Sequence, residues 1–438
     1  MRKKYWMLLV IMAALTFSGC SMHAVQELYC LPMRSEAYAN LQAMISKTMA
    51  GFEYSAPLTG DNQQTVQAAD LDGDGQPEYI LFAKNNSKKT LNIFVFAGDG
   101  ESYELVDTIS SAGSAFDRVE YIQMDDRPGV ELVVGRQVSN QVVRSVSVYS
   151  MTEGQMEQVM STGYTEFITC DMDHDHRMEL FVLGPGNGTN GVGMLYQMED
   201  GVVERSKEVN MSESTDNVKR IMVSKLQGGT PAIYVASAVT DSSGIITDVY
   251  AVVDGELTNV SFSNESGTSV QTMRNYYVYA DDIDDDGVLE LPSLIPTQNP
   301  QDQGISDSQY LIRWYALTED GSEVDKMYTY HNYAGQWYIR LDAKIAERIF
   351  VTTKGSSYEF SLWNEERTEY KSLMTVYALT GQKREEQAVA DNRFVLYRGE
   401  TVIYAANLSI AYAELGMTKE ALTQSFGLIL EDWKTGER

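Results

Sequence analysis

Three nine-residue stretches of this chain carry an aspartate at every second position and a glutamate four residues after the last aspartate. They read Asp70-Leu-Asp72-Gly-Asp74-Gly-Gln-Pro-Glu78, Asp171-Met-Asp173-His-Asp175-His-Arg-Met-Glu179 and Asp282-Ile-Asp284-Asp-Asp286-Gly-Val-Leu-Glu290. Carboxylates crowded into one short loop repel each other. A pair ~4 Å apart costs about 4 kcal/mol at an effective dielectric near 20. A cation among them removes that cost, and oxygen-only donors suit Ca²⁺, which takes six to eight. Aspartates at alternate positions of an extended chain point the same way, which lets one loop surround one ion.

Other chemistries find less support. His174 and His176 flank Asp175 and would suit a transition metal, but they alternate with the aspartates and should face away from the ion. The chain has four histidines in all, which leaves little for general acid–base work. Neither His-Glu-x-x-His nor Gly-x-Ser-x-Gly occurs. A glycosidase needs two carboxylates across a scissile bond, and nothing singles out two among 62 acids. The formal net charge of −28 repels nucleic acid and anionic lipid head groups. The aromatic run Tyr328, Tyr330, His331, Tyr333, Trp337 and Tyr338 reads as a buried strand face, because Trp337, Ile339 and Leu341 alternate.

The elements that must hold these loops are short strands. Residues 35–50 read first as a helix capped by Ser35, with Tyr38, Leu41, Met44, Ile45 and Met49 on one face and Gly51 as its stop. From about 64 to 331 the pattern alternates, with turn residues between runs. The first unit has strands at 64–69, 79–83, 90–96 and 103–108, and the acidic phrase forms the corner between its first two strands. The second has strands at 118–123, 130–135, 142–149 and 155–160, and its corner, Asp125 to Glu131, lacks most ligands. The third, fourth and fifth units span about 164–209, 217–262 and 273–331, and the fourth corner, Lys225 to Pro231, has no acids. Five four-stranded units at a period near 50 residues predict radial blades, because one such sheet cannot bury both faces alone. After about 332 the expected strands are 336–341, 348–353, 357–363, 372–379 and 393–397. A helical stripe of Tyr404, Leu408, Tyr412 and Leu415 follows, then a last helix capped by Thr418 with Leu422, Phe426, Ile429, Leu430 and Trp433, so this part reads as a separate α+β domain or as the last blades plus a helical clasp.

An EF-hand loop would place an acid at its twelfth position. Here that position is Leu81, Val182 or Ser293, and strand-like residues follow. An acid at the ninth position followed by a strand resembles FG-GAP/VCBS-type repeats, the calcium-binding blades of integrin-like β-propellers. The resemblance covers roughly residues 60–330. It implies up to three structural Ca²⁺ ions. Their ligands would be Asp70, Asp72, Asp74 and Glu78; Asp171, Asp173, Asp175 and Glu179; and Asp282, Asp284, Asp286 and Glu290. Gln76, Arg177 and Val288 would each fill a further place, through a backbone carbonyl. Gly75 and Gly287 permit the sharp turn, whereas the third loop has His176 there.

The first residues read as a sorting signal: Arg2, Lys3 and Lys4, then an apolar run from Trp6 to Phe17. Phe17-Ser18-Gly19-Cys20 resembles the lipobox of bacterial lipoproteins, which implies lipidation of Cys20 and a membrane anchor on the extracytoplasmic face. The whole chain is similar to a group of Gram-positive lipoproteins with such repeats. The expected organisation is a signal peptide (1–20), a linker and helix (21–60), a β-propeller (61–331) and a C-terminal α+β domain (332–438). The fold class is mainly β, with about five recognisable four-stranded units and up to seven blades. Cys30 and Cys170 read as unpaired. The expected function is non-catalytic binding or scaffolding, with an envelope protein or glycan as partner and no nucleic acid. The alternative is a cell-envelope enzyme acting on glycans through a carboxylate pair.

Overall fold

A computed structural model describes residues 36–99, 102–138, 144–240, 242–275, 278–297 and 310–429. The expected signal segment, Cys20, Cys30, Ser35, Leu430 and Trp433 lie outside them. The described chain is mainly β and forms six antiparallel sheets of four or five strands each. No described helix is long and apolar enough to cross a membrane.

The first sheet holds Val66–Ala69, Glu78–Asn85, Thr90–Gly98 and Tyr103–Ala112, with the short strand Glu53–Tyr54 at its edge. The second holds Ala115–Ile122, Glu131–Gln137, Arg144–Thr152 and Gln155–Tyr164. The third runs from Glu166–Cys170 through Glu179–Pro185 and Gly191–Glu199 to Val202–Arg205, and the fourth from Val218–Lys225 to Glu256–Asn259.

Consecutive sheets pack face to face because their second strands are apolar on both sides. Leu180 and Val182 face the second sheet, while Phe181 and Leu183, the alternate residues, face the fourth. Each neighbouring pair of sheets shares one such core, up to the fifth and sixth. The fold is therefore propeller-like. No apolar cluster among the described residues joins the sixth sheet to the first. Helices cover the two outer faces instead. Leu41 of Glu36–Thr48, with Met44, Ile45 and Met49, lies on Leu81, Ala83, Phe94 and Phe96. At the other end Ala388 of Arg384–Val389 lies on Leu379, Ile403 and Ala405.

The C-terminal part differs from the expected reading. The fifth sheet holds Leu291–Pro296, Tyr310–Leu317 and Glu323–Asn332, and Trp337–Leu341 pairs with the last of these, so the sheet extends past the boundary drawn after His331. A sixth sheet follows, ordered Ile349–Lys354, Ser357–Trp363, Tyr370–Thr380, Val402–Leu408 and Phe394–Arg398. Tyr404 and Leu408 thus lie in a strand, and only Ile410–Glu414 is helical. Thr418 does cap a helix, accepting the Ala421 N–H, but that helix ends at Ser425. Phe426–Leu428 is a strand that pairs with Trp337–Leu341, and the Phe426 ring stacks on Trp337 at 5.7 Å. Burial won over helical spacing there. The aromatic run does face inward: Tyr328, Tyr330, Trp337, Ile339 and Leu341 are all buried in the core between fifth and sixth sheets.

Candidate metal centres

The first and third acidic corners join the first two strands of their sheets, whereas the fifth leads into the first strand of its sheet, Leu291–Pro296, and is closed by a single bridge between Asp281 and Glu290. The ninth-position glutamate pins each one. Glu78 accepts the Leu71 N–H at 2.7 Å, Glu179 that of Met172 at 2.6 Å and Glu290 that of Ile283 at 3.0 Å. Glu131 does the same for Met124 in the second corner, at 2.9 Å. These glutamates are buried because each stands at the start of the apolar strand that leaves its corner. The first-position aspartate closes the loop. Asp70 accepts from Gly73 and Gly75, Asp171 from His174 and His176, and Asp282 from Asp286 and Gly287.

This turn demands left-handed backbone at the fourth and sixth positions. Gly73 and Gly75 have φ of 75° and 87°. His174 and His176 adopt 65° and 72°, and Asp285 and Gly287 adopt 62° and 83°. The third loop thus folds like the others despite lacking glycine, at a cost of about 1–2 kcal/mol for each such residue. Gly73 has a second constraint, since a Cβ there would stand 2.2 Å from the Pro128 Cβ.

Three groups of carboxylates converge. Asp70, Asp72 and Glu78 each offer an oxygen within 4.8 Å of the others, and so do Asp171, Asp173 and Glu179, and Asp282, Asp284 and Glu290. The fifth-position aspartates stand outside these groups. Asp175 is held by Arg177 through Nε at 2.6 Å and through Nη2. Asp286 accepts from Lys326 Nζ at 2.6 Å. Asp74 accepts the Gln76 N–H at 2.7 Å. Neither histidine joins a group: His176 is exposed, and His174 Nε2 lies 3.2 Å from the Gly229 carbonyl of the next corner.

Electrostatics at these corners follow burial. Burial pushes Glu290 up to about 8, against the Ile283 N–H and with help from Asp284 and Asp286. Burial pushes Glu179 up to about 7 in the same way. Glu78, Asp173 and Asp284 are also raised, first by burial and then by neighbouring aspartates. Asp286 is lowered, chiefly by its hydrogen bond from Lys326. The residues fit a hard divalent cation. Glu290 Oε1 and Asp284 Oδ1 are buried and have no hydrogen-bond partner in the protein. Such orphan acceptors are costly unless something positive faces them.

The second corner meets the same demand without an ion. Gln123 stands where Asp70 would, and its amide donates to the Asp125 and Arg127 carbonyls at 2.7 and 2.6 Å. Arg127 replaces the fifth-position aspartate. Its Nε donates to Asp125 at 2.7 Å and its Nη2 to Ser150 at 3.1 Å, beside Glu131 at 3.9 Å. The guanidinium supplies the positive charge from within the chain. Sequence reasoning read this corner as a loss of ligands; an arginine at the fifth position was the available signal.

The corners also touch one another along one rim. Val130 donates to the Asp70 carbonyl and Met178 to the Gln123 carbonyl, at 3.1 and 2.7 Å. A cavity of about 600 Å³ lies between the third and fourth corners, bordered by Asp173, His174, Gly229 and Glu319.

No family model matches the chain, and no curated protein matches it. Solved structures give loose superpositions. The exotype rhamnogalacturonan lyase YesX is 14% identical over 75% of this chain and 67% of its own, with a TM-score of 0.28. A protein from Lactobacillus plantarum is 11% identical over 73% and 86%, with a TM-score of 0.28. The Bacillus licheniformis rhamnogalacturonan lyase PL11 is 11% identical over 73% and 72%, with a TM-score of 0.27. No shared chemistry follows from superpositions this loose.

Proposed function

We propose that this chain is a calcium-stabilised, non-catalytic binding or scaffolding protein of the FG-GAP/VCBS type, held by a lipid on Cys20 to the extracytoplasmic face of a membrane. The carrying observation is the repeated gathering of three carboxylate oxygens within 4.8 Å at equivalent corners. The unpartnered oxygens of Asp284 and Glu290 add to it. Calcium would supply the positive charge that the three converging carboxylates of each corner lack, since within the corners Arg177 and Lys326 reach only the fifth-position aspartates. The chain's own part is mechanical: Asp70, Asp171 and Asp282 tie each turn to its backbone, and the glutamates tie the turn to the next strand. Rigid corners then fix the sheets, which present a broad rim to a partner protein or glycan.

The test is calcium removal and return on the full chain. Bound ion raises stability by RT ln(1 + [L]/Kd), about 2.7 kcal/mol per site at a hundredfold excess over Kd. The melting temperature should fall in chelator and climb with added CaCl2, and elemental analysis should find calcium in the purified protein. Equal melting temperatures in both conditions, with no alkaline-earth metal detected, would overturn the reading. Cross-linking on intact cells addresses the partner, and turnover of an envelope glycan by the purified chain would replace scaffolding with catalysis.

A further inference from the structure

A β-bulge leaves one residue unpaired in Tyr103–Ala112 and Gln155–Tyr164 of the first two sheets and in Glu323–Asn332 and Tyr370–Thr380 of the last two. Val95 pairs with Asp107 and Phe96 with Leu105, which leaves Val106 unpaired. Val159, Lys326 and Leu373 are left out in the same way in the second, fifth and sixth sheets. A bulge re-aims the side chain it carries. In three sheets that side chain is aliphatic and packs into an inter-sheet core. In the fifth sheet it is a lysine. Its Nζ reaches Asp286 Oδ2 at 2.6 Å, and its side chain is only 15% exposed.

The fifth corner therefore already holds a cation against one of its four expected ligand carboxylates, Asp286. In the first corner, among the described residues, no ion pair reaches Asp74. Two further acceptors at the fifth corner remain unmet, Asp284 Oδ1 and Glu290 Oε1, and Glu290 is fully buried. Lys326 satisfies the exposed side of the loop and leaves its buried side open. We propose that Lys326 is a tethered counter-ion that competes with a divalent cation for the fifth corner, so that this corner fills at a higher ion concentration than the first. The inference rests on the calcium reading above. An entering ion gains Asp286 as a ligand only when the lysine swings out. If Asp286 is free for one-tenth of the time, apparent affinity falls about tenfold.

Calcium titration calorimetry on the chelator-stripped full chain tests this. The third corner, where Arg177 holds Asp175 in the same way, is silenced by Asp171→Asn in every titrated sample. On that background the chain should show a tighter and a weaker class of site, and Asp282→Asn should remove the weaker one. Lys326→Met should tighten that class about tenfold and leave the tighter class unchanged. Methionine suits the position because three other sheets carry aliphatic residues there. Lys326→Arg should retain the weak class, and Lys207→Met, at an exposed site, should change neither. A melting curve adds a second readout: Lys326→Met should melt below native in chelator and gain more on adding CaCl2. If Lys326→Met leaves unchanged a class that Asp282→Asn abolishes, the lysine is no competitor and the calcium reading stands. If no variant and no native sample takes up calcium, the calcium reading itself fails.

Discussion

His331 shows how one side chain sets a property of the fold. It lies in the fifth sheet among the rings of Trp314, Tyr333 and Tyr338. Burial lowers its pKa to about 3. The unfolded chain, with a histidine near 6.5, takes up the proton first as pH falls. Stability from this residue is therefore complete above pH ~6.5 and is lost as pH drops toward about 3, by up to about 1.4 kcal/mol per unit. Urea midpoints at pH 7, 6 and 5 should fall more steeply for the native chain than for His331→Gln. Equal slopes would show that the imidazole stays solvated. At this scale the sequence was read well where a residue's role is local. The acidic phrases, Gly75, Gly287 and the Thr418 cap all lie where spacing put them, because their partners are within a few residues. Lys326 was illegible, because a bulge is a property of strand pairing and not of the lysine's neighbours in sequence.

Among the elements, the second corner carries the sharpest contrast with its neighbours. Arg127 counterbalances Asp125 and Glu131, both buried. Arg127→Ala would leave two buried carboxylates facing each other. The guanidinium is 40% exposed, so solvent softens the loss to about 2–3 kcal/mol, below the range for a fully buried pair. Added calcium should not restore this variant, since Gln123 offers an amide where the other corners offer a carboxylate. Denaturant melts with and without CaCl2 check both halves; rescue by calcium would mean the corner is a vacant ion site. Strand positions in the first two sheets were readable to within four residues, because the apolar runs there are separated by turn residues such as Asn85, Asn86 and Gly98. Val402–Leu408 was not, because a spacing of four between Tyr404 and Leu408 satisfies helix and strand alike. Only its pairing with Tyr370–Thr380 decides.

As a whole, the molecule is a stack of sheets with a helix over each outer face. In such an array each sheet leans on its neighbours, so damage stays local. Leu41→Ala removes a residue 4% exposed from the first cap and should cost about 2–4 kcal/mol there. Hydrogen exchange should speed up in Thr90–Gly98 and stay unchanged in Tyr370–Thr380. Uniform acceleration across all six sheets would point to a closed ring instead. Four of the sixth sheet's five strands were legible as strands, but their pairing into one further sheet was not, because they do not repeat the corner phrase. Their burial depends on Trp337, Phe360 and Phe426, which are far apart in sequence.

The path of the chain through its last two sheets has a mechanical consequence. It leaves the fifth sheet at Leu341, builds the whole of the sixth, and returns to lay Phe426–Leu428 against the strand it left. The sixth sheet is thus a detour sewn down at both ends. A protease that nicks the exposed hairpin near Glu366 would sever the thread without freeing either piece, and tension applied from the distal end would have to unpick the Phe426 stitch before anything else could unravel.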